Sequence, residues 1–93
     1  MLEKTIERYL VDKVKKMNGV AVKLNSIGFA GLPDRMVLLP NGIIFFVETK
    51  APGKKSRLLQ LKIQSQLQAL GFKVYEIDNK NQIKEVLKKY GEI

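Results

Sequence analysis

The sequence contains no cysteine and no histidine. Thiol nucleophiles, thiolate or imidazole zinc sites, and any Ser-His or His-metal nuclease chemistry are thereby excluded. Carboxylates, lysines and hydroxyls are left to carry any catalysis. Acidic residues are scarce too: nine Asp and Glu stand against 17 Lys and Arg, a formal net charge of +8. That balance favours a polyanionic partner through phosphate neutralisation and counterion release, with nucleic acid ahead of an acidic membrane surface. Long apolar runs are missing as well; none approaches the ~20 residues of a membrane span. Met1-Leu2-Glu3-Lys4 opens directly into an amphipathic pattern without the apolar core of a signal peptide, so the expected location is cytoplasmic, with no membrane partner.

What is present fits one small domain spanning residues 1–93. A chain of this length buries only about 60–65% of its unfolded surface, so self-association would add stability and a homodimer is expected. Leu2, Ile6, Tyr9, Leu10, Val14 and Met17 recur at helical spacing, and Asn18-Gly19 supplies a left-handed stop. On a helical wheel Glu3 falls inside the apolar stripe and Glu7 at its edge. Both are therefore candidates to face inward, against the simpler reading of favourable charge near a helix N-terminus, worth about 0.3–1 kcal/mol.

Val20 to Ser26 reads as a strand carrying Lys23, and Ile27 to Pro33 as a glycine-bearing loop. Asp34 to Leu39 and Ile43 to Lys50 form a hairpin with an apolar body. Its register decides the chemistry, because a one-residue slip moves every side chain to the other face. A two-residue Asn41-Gly42 loop would put Asp34 opposite Thr49. A three-residue loop, Pro40-Asn41-Gly42, pairs Leu39 with Ile43 and Asp34 with Glu48, and suits a type I turn with Gly42 in the left-handed bulge position. The three-residue loop is predicted, with Asp34 and Glu48 directly opposed, their Cβ atoms roughly 4.5–5.5 Å apart.

Ser56 is the expected cap of a helix from Arg57 to Leu70, stopped by Gly71, with Leu59, Ile63, Leu67 and Leu70 as its core stripe. Leu58 and Leu61 lie outside the stripe as candidate dimer contacts. Phe72 to Ile77 is a fourth strand reached through that helix, expected to lie parallel to a neighbour. Asn79 and Gln82 make a capping box for a last helix with Ile83, Val86, Leu87 and Tyr90 on its core face. The predicted order is αβββαβα, an α/β domain with a mixed sheet.

Two carboxylates side by side repel unless a divalent cation joins them, and oxygen donors alone point to Mg²⁺ or Mn²⁺. Glu48 and Lys50 share a face because strand side chains alternate. A lysine so placed can orient a water for attack on a phosphoryl group.

Pro33-Asp34 followed by Glu48-Thr49-Lys50 resembles the PD-(D/E)xK nuclease signature, on a restriction-endonuclease-like core. The longer string sharpens the likeness: Lys23-x-x-Ser26-x-Gly28-x-x-Gly31-x-Pro33-Asp34-Arg35, Phe46-Val47-Glu48-x-Lys50-Ala51-Pro52-Gly53-Lys54-Lys55, and Gln60. It is similar to the virus-type replication-repair nuclease (VRR-Nuc) domain in its small stand-alone phage form. The resemblance implies Mg²⁺- or Mn²⁺-dependent hydrolysis of phosphodiester bonds in DNA. Asp34, Glu48 and the Thr49 carbonyl would hold metal, with Glu3 or Glu7 binding it directly or through water. Lys50 would position the attacking water, and Gln60 would contact the site. Leu58 departs from the proline common before Leu-Gln in the family, a change at the helix entry. Stand-alone members resemble four-way-junction (Holliday-junction) resolvases, which suits a homodimer acting on branched DNA. Flap- or nick-directed cutting, and a catalytically silent nucleic-acid-binding module, are the competing readings. Lys23, Arg35, Lys54, Lys55, Arg57 and Lys62 are the candidate phosphate contacts.

Overall fold

The apolar stripe of the first helix and the alternation of the hairpin meet on one side of a sheet, and that encounter organises the fold. In the computed structural model, which describes residues 2–25 and 28–91, the elements run α1 (Glu3–Lys16), β1 (Val20–Lys23), β2 (Arg35–Leu39), a short 3-10 turn (Pro40–Gly42), β3 (Ile43–Thr49), α2 (Leu58–Ala69), β4 (Lys73–Ile77) and α3 (Lys80–Lys88). The strands lie in the order β1-β2-β3-β4. β2 runs antiparallel to both β1 and β3, and β4 joins β3 in parallel. The mixed sheet and the αβββαβα order are as the sequence pattern predicted. Among the described residues no helix is long and apolar enough to cross a membrane.

Helices α1 and α3 cover one face of the sheet. Ile6, Leu10 and Val14 from α1 and Ile83, Val86 and Leu87 from α3 are buried against Val37, Phe45, Val47 and Ile77. Tyr90 stacks on Phe45, with ring centroids 4.5 Å apart, and exchanges a 2.6 Å hydroxyl hydrogen bond with Tyr75. Leu2, expected in the stripe, is 72% exposed, because α1 begins one residue after it. The expected strand end at Ser26 and loop start at Ile27 lie outside the described residues.

Helix α1 ends in a Schellman arrangement. Asn18, with φ +62°, takes the left-handed position, while the Gly19 and Asn18 N–H groups donate to the Val14 and Lys15 carbonyls, each at 3.0 Å. Gly19 serves a different need: a Cβ there would sit 2.5 Å from the Leu38 carbonyl oxygen and 2.6 Å from Leu39 Cδ2. Gly19→Ala must push β2 away from the helix end. We expect it to cost about 1–3 kcal/mol, a fall in Tm of roughly 4–8 °C per kcal/mol. A thermal melt indistinguishable from that of the parent protein would show that the strand yields freely.

Helix α2 lies on the other face and packs against β4 and around Gly31, where a Cβ would meet Ile63 and Leu59. Its expected stripe narrows accordingly. Ile63 and Gln64 are buried, whereas Leu59 and Leu70 are 49% and 74% exposed. Ser56 is not its cap; Arg57 holds that position, and the Gln60 side chain accepts the Arg57 N–H at 2.9 Å. Ser56 Oγ instead accepts from Gln64 Nε2 at 3.2 Å. At α3, Asn79 caps the Gln82 N–H as expected, but the Gln82 side chain reaches the Asp78 N–H, not that of Asn79.

Candidate active site

The hairpin register is the predicted one. Leu39 pairs with Ile43 and Arg35 with Val47, so one further step along the same alignment sets Asp34 against Glu48. Three residues make the turn, but not in type I geometry: Asn41 has φ +70° and Gly42 φ +75°. Asn41 takes the left-handed region directly after Pro40, where a type I turn needs a negative φ, and asparagine tolerates it.

Asp34 sits just before β2, where its carbonyl accepts the Leu24 N–H at 2.8 Å. Its Oδ2 accepts two donors from one residue, the Thr49 N–H at 2.9 Å and the Thr49 hydroxyl at 2.6 Å. Thr49 is fully buried, so this carboxylate is clamped across the hairpin from below. The resemblance implies a role for the Thr49 carbonyl alone, whereas its side chain and N–H carry the visible interaction.

Glu48 is 1% exposed, and its Oε2 is buried without a hydrogen-bond partner among the described residues. Burial pushes its carboxyl up to about 8, and the neighbouring Asp34 charge and a hydrogen bond with the Asp34 side chain push the same way. Lys50 pulls it down, and Glu3 adds a smaller upward push. The pair therefore keeps a proton at neutral pH when no cation is bound. Lys50 Nζ donates to Gln60 Oε1 at 2.9 Å, the same oxygen that accepts the Arg57 N–H. Gln60 thus joins the start of α2 to the lysine at the end of β3.

Comparison with known proteins decides the family. No family model matches the sequence. Over 79 residues the chain is 48% identical to "Putative nuclease p44" of Acyrthosiphon pisum secondary endosymbiont phage 1, spanning 85% of each. A solved structure described as a VRR_NUC domain superposes with a TM-score of 0.88 and 28% identity, over 95% of this chain and 96% of that one. The chain belongs to the VRR-Nuc family.

In this VRR-Nuc domain the two first-helix glutamates part company. Glu7 Oε2 accepts from Arg35, at 2.7 Å from Nη2 and 2.9 Å from Nε, with Lys23 Nζ 3.7 Å away. Arg35 Nη1 donates to the Ala21 carbonyl at 3.0 Å. Glu7 is thereby committed to an ion pair on the α1 side of the sheet, which corrects its candidacy for metal. The same pairing corrects Arg35 as a phosphate contact: strand alternation turns it away from Asp34, and its side chain is only 16% exposed. Glu3 stays exposed, and its charge reaches Glu48. Among the described residues no three acidic side chains gather closely enough to cage a metal ion.

Lys23, Lys54, Lys55, Arg57 and Lys62 are all exposed. The loop carrying Lys54 and Lys55 is fastened by two carboxylates that sequence reasoning missed. Glu76 accepts the Ser56 N–H at 3.0 Å and Asp78 accepts the Gly53 N–H at 3.1 Å. Glu76 lies beside Glu48 in the parallel ladder, a neighbour no local pattern announces.

Proposed function

We propose that this VRR-Nuc domain is a Mg²⁺- or Mn²⁺-dependent endonuclease that hydrolyses DNA phosphodiester bonds, acting as a homodimer on branched duplexes of the four-way-junction type, in the cytoplasm of a phage host. One observation carries the reading: the buried, unpartnered Glu48 oxygen beside Asp34, with Lys50 next along the same face. An orphaned carboxylate oxygen among oxygen donors is the donor that a hard cation would satisfy.

Asp34, Glu48 and the Thr49 carbonyl would hold the ion, with Glu3 acting through water. When bound, the ion supplies Lewis-acid stabilisation of phosphoryl charge and acidifies water. Thr49 fixes the aim of the Asp34 carboxylate through its two donated hydrogen bonds. Lys50, held by Gln60, orients the attacking water and offers positive charge to the scissile phosphate. The exposed Lys54 and Lys55 on the fastened loop, with Lys23, Arg57 and Lys62, contact flanking phosphates.

The dimer reading rests on the uncovered half of the sheet. Val20 and Val22 align with Leu38 and Met36, and Leu38 aligns with Ile44, on the face opposite α1 and α3. Val20 and Ile44 are 59% and 42% exposed. Asp34 and Glu48 close the same face, so a second copy seated there brings two catalytic centres together, as paired cuts on a symmetric junction require. Leu58 and Leu61, 85% and 44% exposed, border it from α2.

The test is a cleavage panel on junction, flap, nicked and plain duplex DNA with Mg²⁺, beside the solution mass. Lys50→Ala is expected to lower the rate at least about 100-fold while leaving binding measurable. Cleavage by Lys50→Ala at the parent rate overturns the assignment. Binding without cleavage by the parent protein under every condition favours the silent module.

The two glutamates give a paired prediction. Glu7→Gln should cost about 1.5–3 kcal/mol by weakening a charged pair around the poorly exposed Arg35, and leave kcat unchanged. Glu3→Gln should leave stability within about 0.5 kcal/mol and lower cleavage about 10–100-fold, the range for groups acting on a metal through an intermediary. Urea denaturation and single-turnover rates separate them; a reversed pattern would reassign the helix carboxylate.

A further inference from the structure

The excess positive charge of this chain is concentrated away from the carboxylates. Helices α1 and α3, taken through Lys89, carry nine of the 17 basic side chains but only four of the nine acidic ones. Two of those four are already neutralised, Glu7 by Arg35 and Glu85 by Lys88; Glu3 lies at the catalytic end, and Asp12, exposed midway along α1, is the one carboxylate left among its lysines. Where the two helices meet, one aromatic ring gathers charge from both. Lys13 Nζ and Lys80 Nζ stand 5.5 and 5.1 Å from the centroid of Tyr9, and among the described residues neither ammonium pairs with a carboxylate within 4.0 Å. Beyond them Lys13 and Lys16 line a cleft of about 440 Å³ floored by Met17, Leu39 and Ile43. Like charges held together without counter-charge are costly unless an anion joins them.

We propose that the α1/α3 face is a second contact surface for the DNA backbone, engaging duplex several base pairs from the scissile phosphate. The inference rests on the nuclease reading. Lys4 to Lys16 span ~18 Å of helix at 1.5 Å per residue, about five base pairs of duplex, so a track of cations leads from the Glu3 end of α1 to the cleft at the other. The hand-holds are lysines, compact point charges that track phosphate without reading sequence. An even spread of solvated lysines would leave the rest of the surface equally basic, which it is not.

The experiment uses the full chain, a fluorescein-labelled 30-base-pair duplex in EDTA, and KCl from 50 to 200 mM. Lys13→Gln, Lys16→Gln and Lys80→Gln are combined, with arginine at the same three positions as the companion variant; thermal melts verify folding. The glutamine variant is expected to bind at least tenfold more weakly at 100 mM KCl. Its log-log salt slope should be shallower by about 2.7, at about 0.9 per lost phosphate contact. The arginine variant retains parent affinity and slope. Parent-like affinity and slope in the glutamine variant, in a protein that cuts DNA, overturns this inference alone. Loss of binding in both variants overturns it too, because the charge is then not what matters. Loss of binding to phosphatidylglycerol vesicles, with DNA binding intact, assigns the face to a membrane and overturns it. A parent protein that neither binds nor cuts DNA overturns the nuclease reading itself.

Discussion

Glu48→Gln is expected to abolish cleavage, by about 10³-fold or more, and at the same time to stabilise the metal-free protein at alkaline pH. The amide keeps the shape of the side chain but cannot ionise, and a neutral oxygen is a poor donor to a hard cation. Stability moves in the opposite direction. The Glu48 carboxyl titrates at about 8 in the folded protein against 4.5 in the unfolded chain. The protonated native state therefore contributes stability that is complete below pH 4.5, declines as pH rises, and is gone above about pH 8. Each tenfold change in proton affinity is worth about 1.4 kcal/mol. Allowing for relaxation around the ionised group, the parent should lose on the order of 2–4 kcal/mol between pH 5 and 9, and the glutamine variant should not. Thermal melts in EDTA at pH 5, 7 and 9 are the measurement: near-equal Tm at pH 5, and the variant ahead by pH 9. Saturating Mg²⁺ should return the parent's lost stability, because it binds only the folded form. A variant less stable than the parent at pH 9 in EDTA would show that Glu48 is not strained by ionisation.

The features legible in the sequence were those with a single strong constraint. The stripes of α1 and α3 were readable because each helix lies flat on the core, so three-and-four spacing maps onto burial of Ile6, Leu10 and Val14 and of Ile83, Val86 and Leu87. The hairpin register was readable because only a three-residue turn keeps its apolar residues and both carboxylates in step; the left-handed state of Asn41 was not, since asparagine accepts either geometry. Helix α2 misled because it touches little beyond β4 and the Gly31 loop, which covers only part of Leu59, while Leu70 stands exposed at the helix end. The choice between Glu3 and Glu7 depended on Arg35, 28 residues from Glu7, and adjacency to Asp34 made that arginine look like a phosphate contact. Glu76 and Asp78 depended on the parallel register of β4, which a helical crossover leaves unmarked in sequence.

Asp34→Ala should be as inactive as the Glu48 variant but opposite in its effect on stability. Removing this carboxylate strips the Thr49 N–H and hydroxyl of their acceptor at a fully buried position. Leaving buried donors unsatisfied costs about 1–3 kcal/mol each, and a loss of about 2–4 kcal/mol is expected at pH 5, where Glu48 is neutral in either protein. At pH 9 the same substitution removes the negative charge that opposes Glu48 ionisation, and that relief offsets part of the cost. The deficit should therefore shrink as pH rises. Asp34→Asn separates the two roles, because its carbonyl oxygen can still accept from Thr49 while carrying no charge: stability near that of the parent, cleavage still absent. Urea denaturation at pH 5 and 9 in EDTA, beside cleavage in Mg²⁺, measures all of this. Cutting by Asp34→Asn at the parent rate would remove Asp34 from the metal site. An Asp34→Ala variant as stable as the parent at pH 5 would mean that water reaches Thr49, and that the clamp beneath the carboxylate contributes nothing to holding it in place.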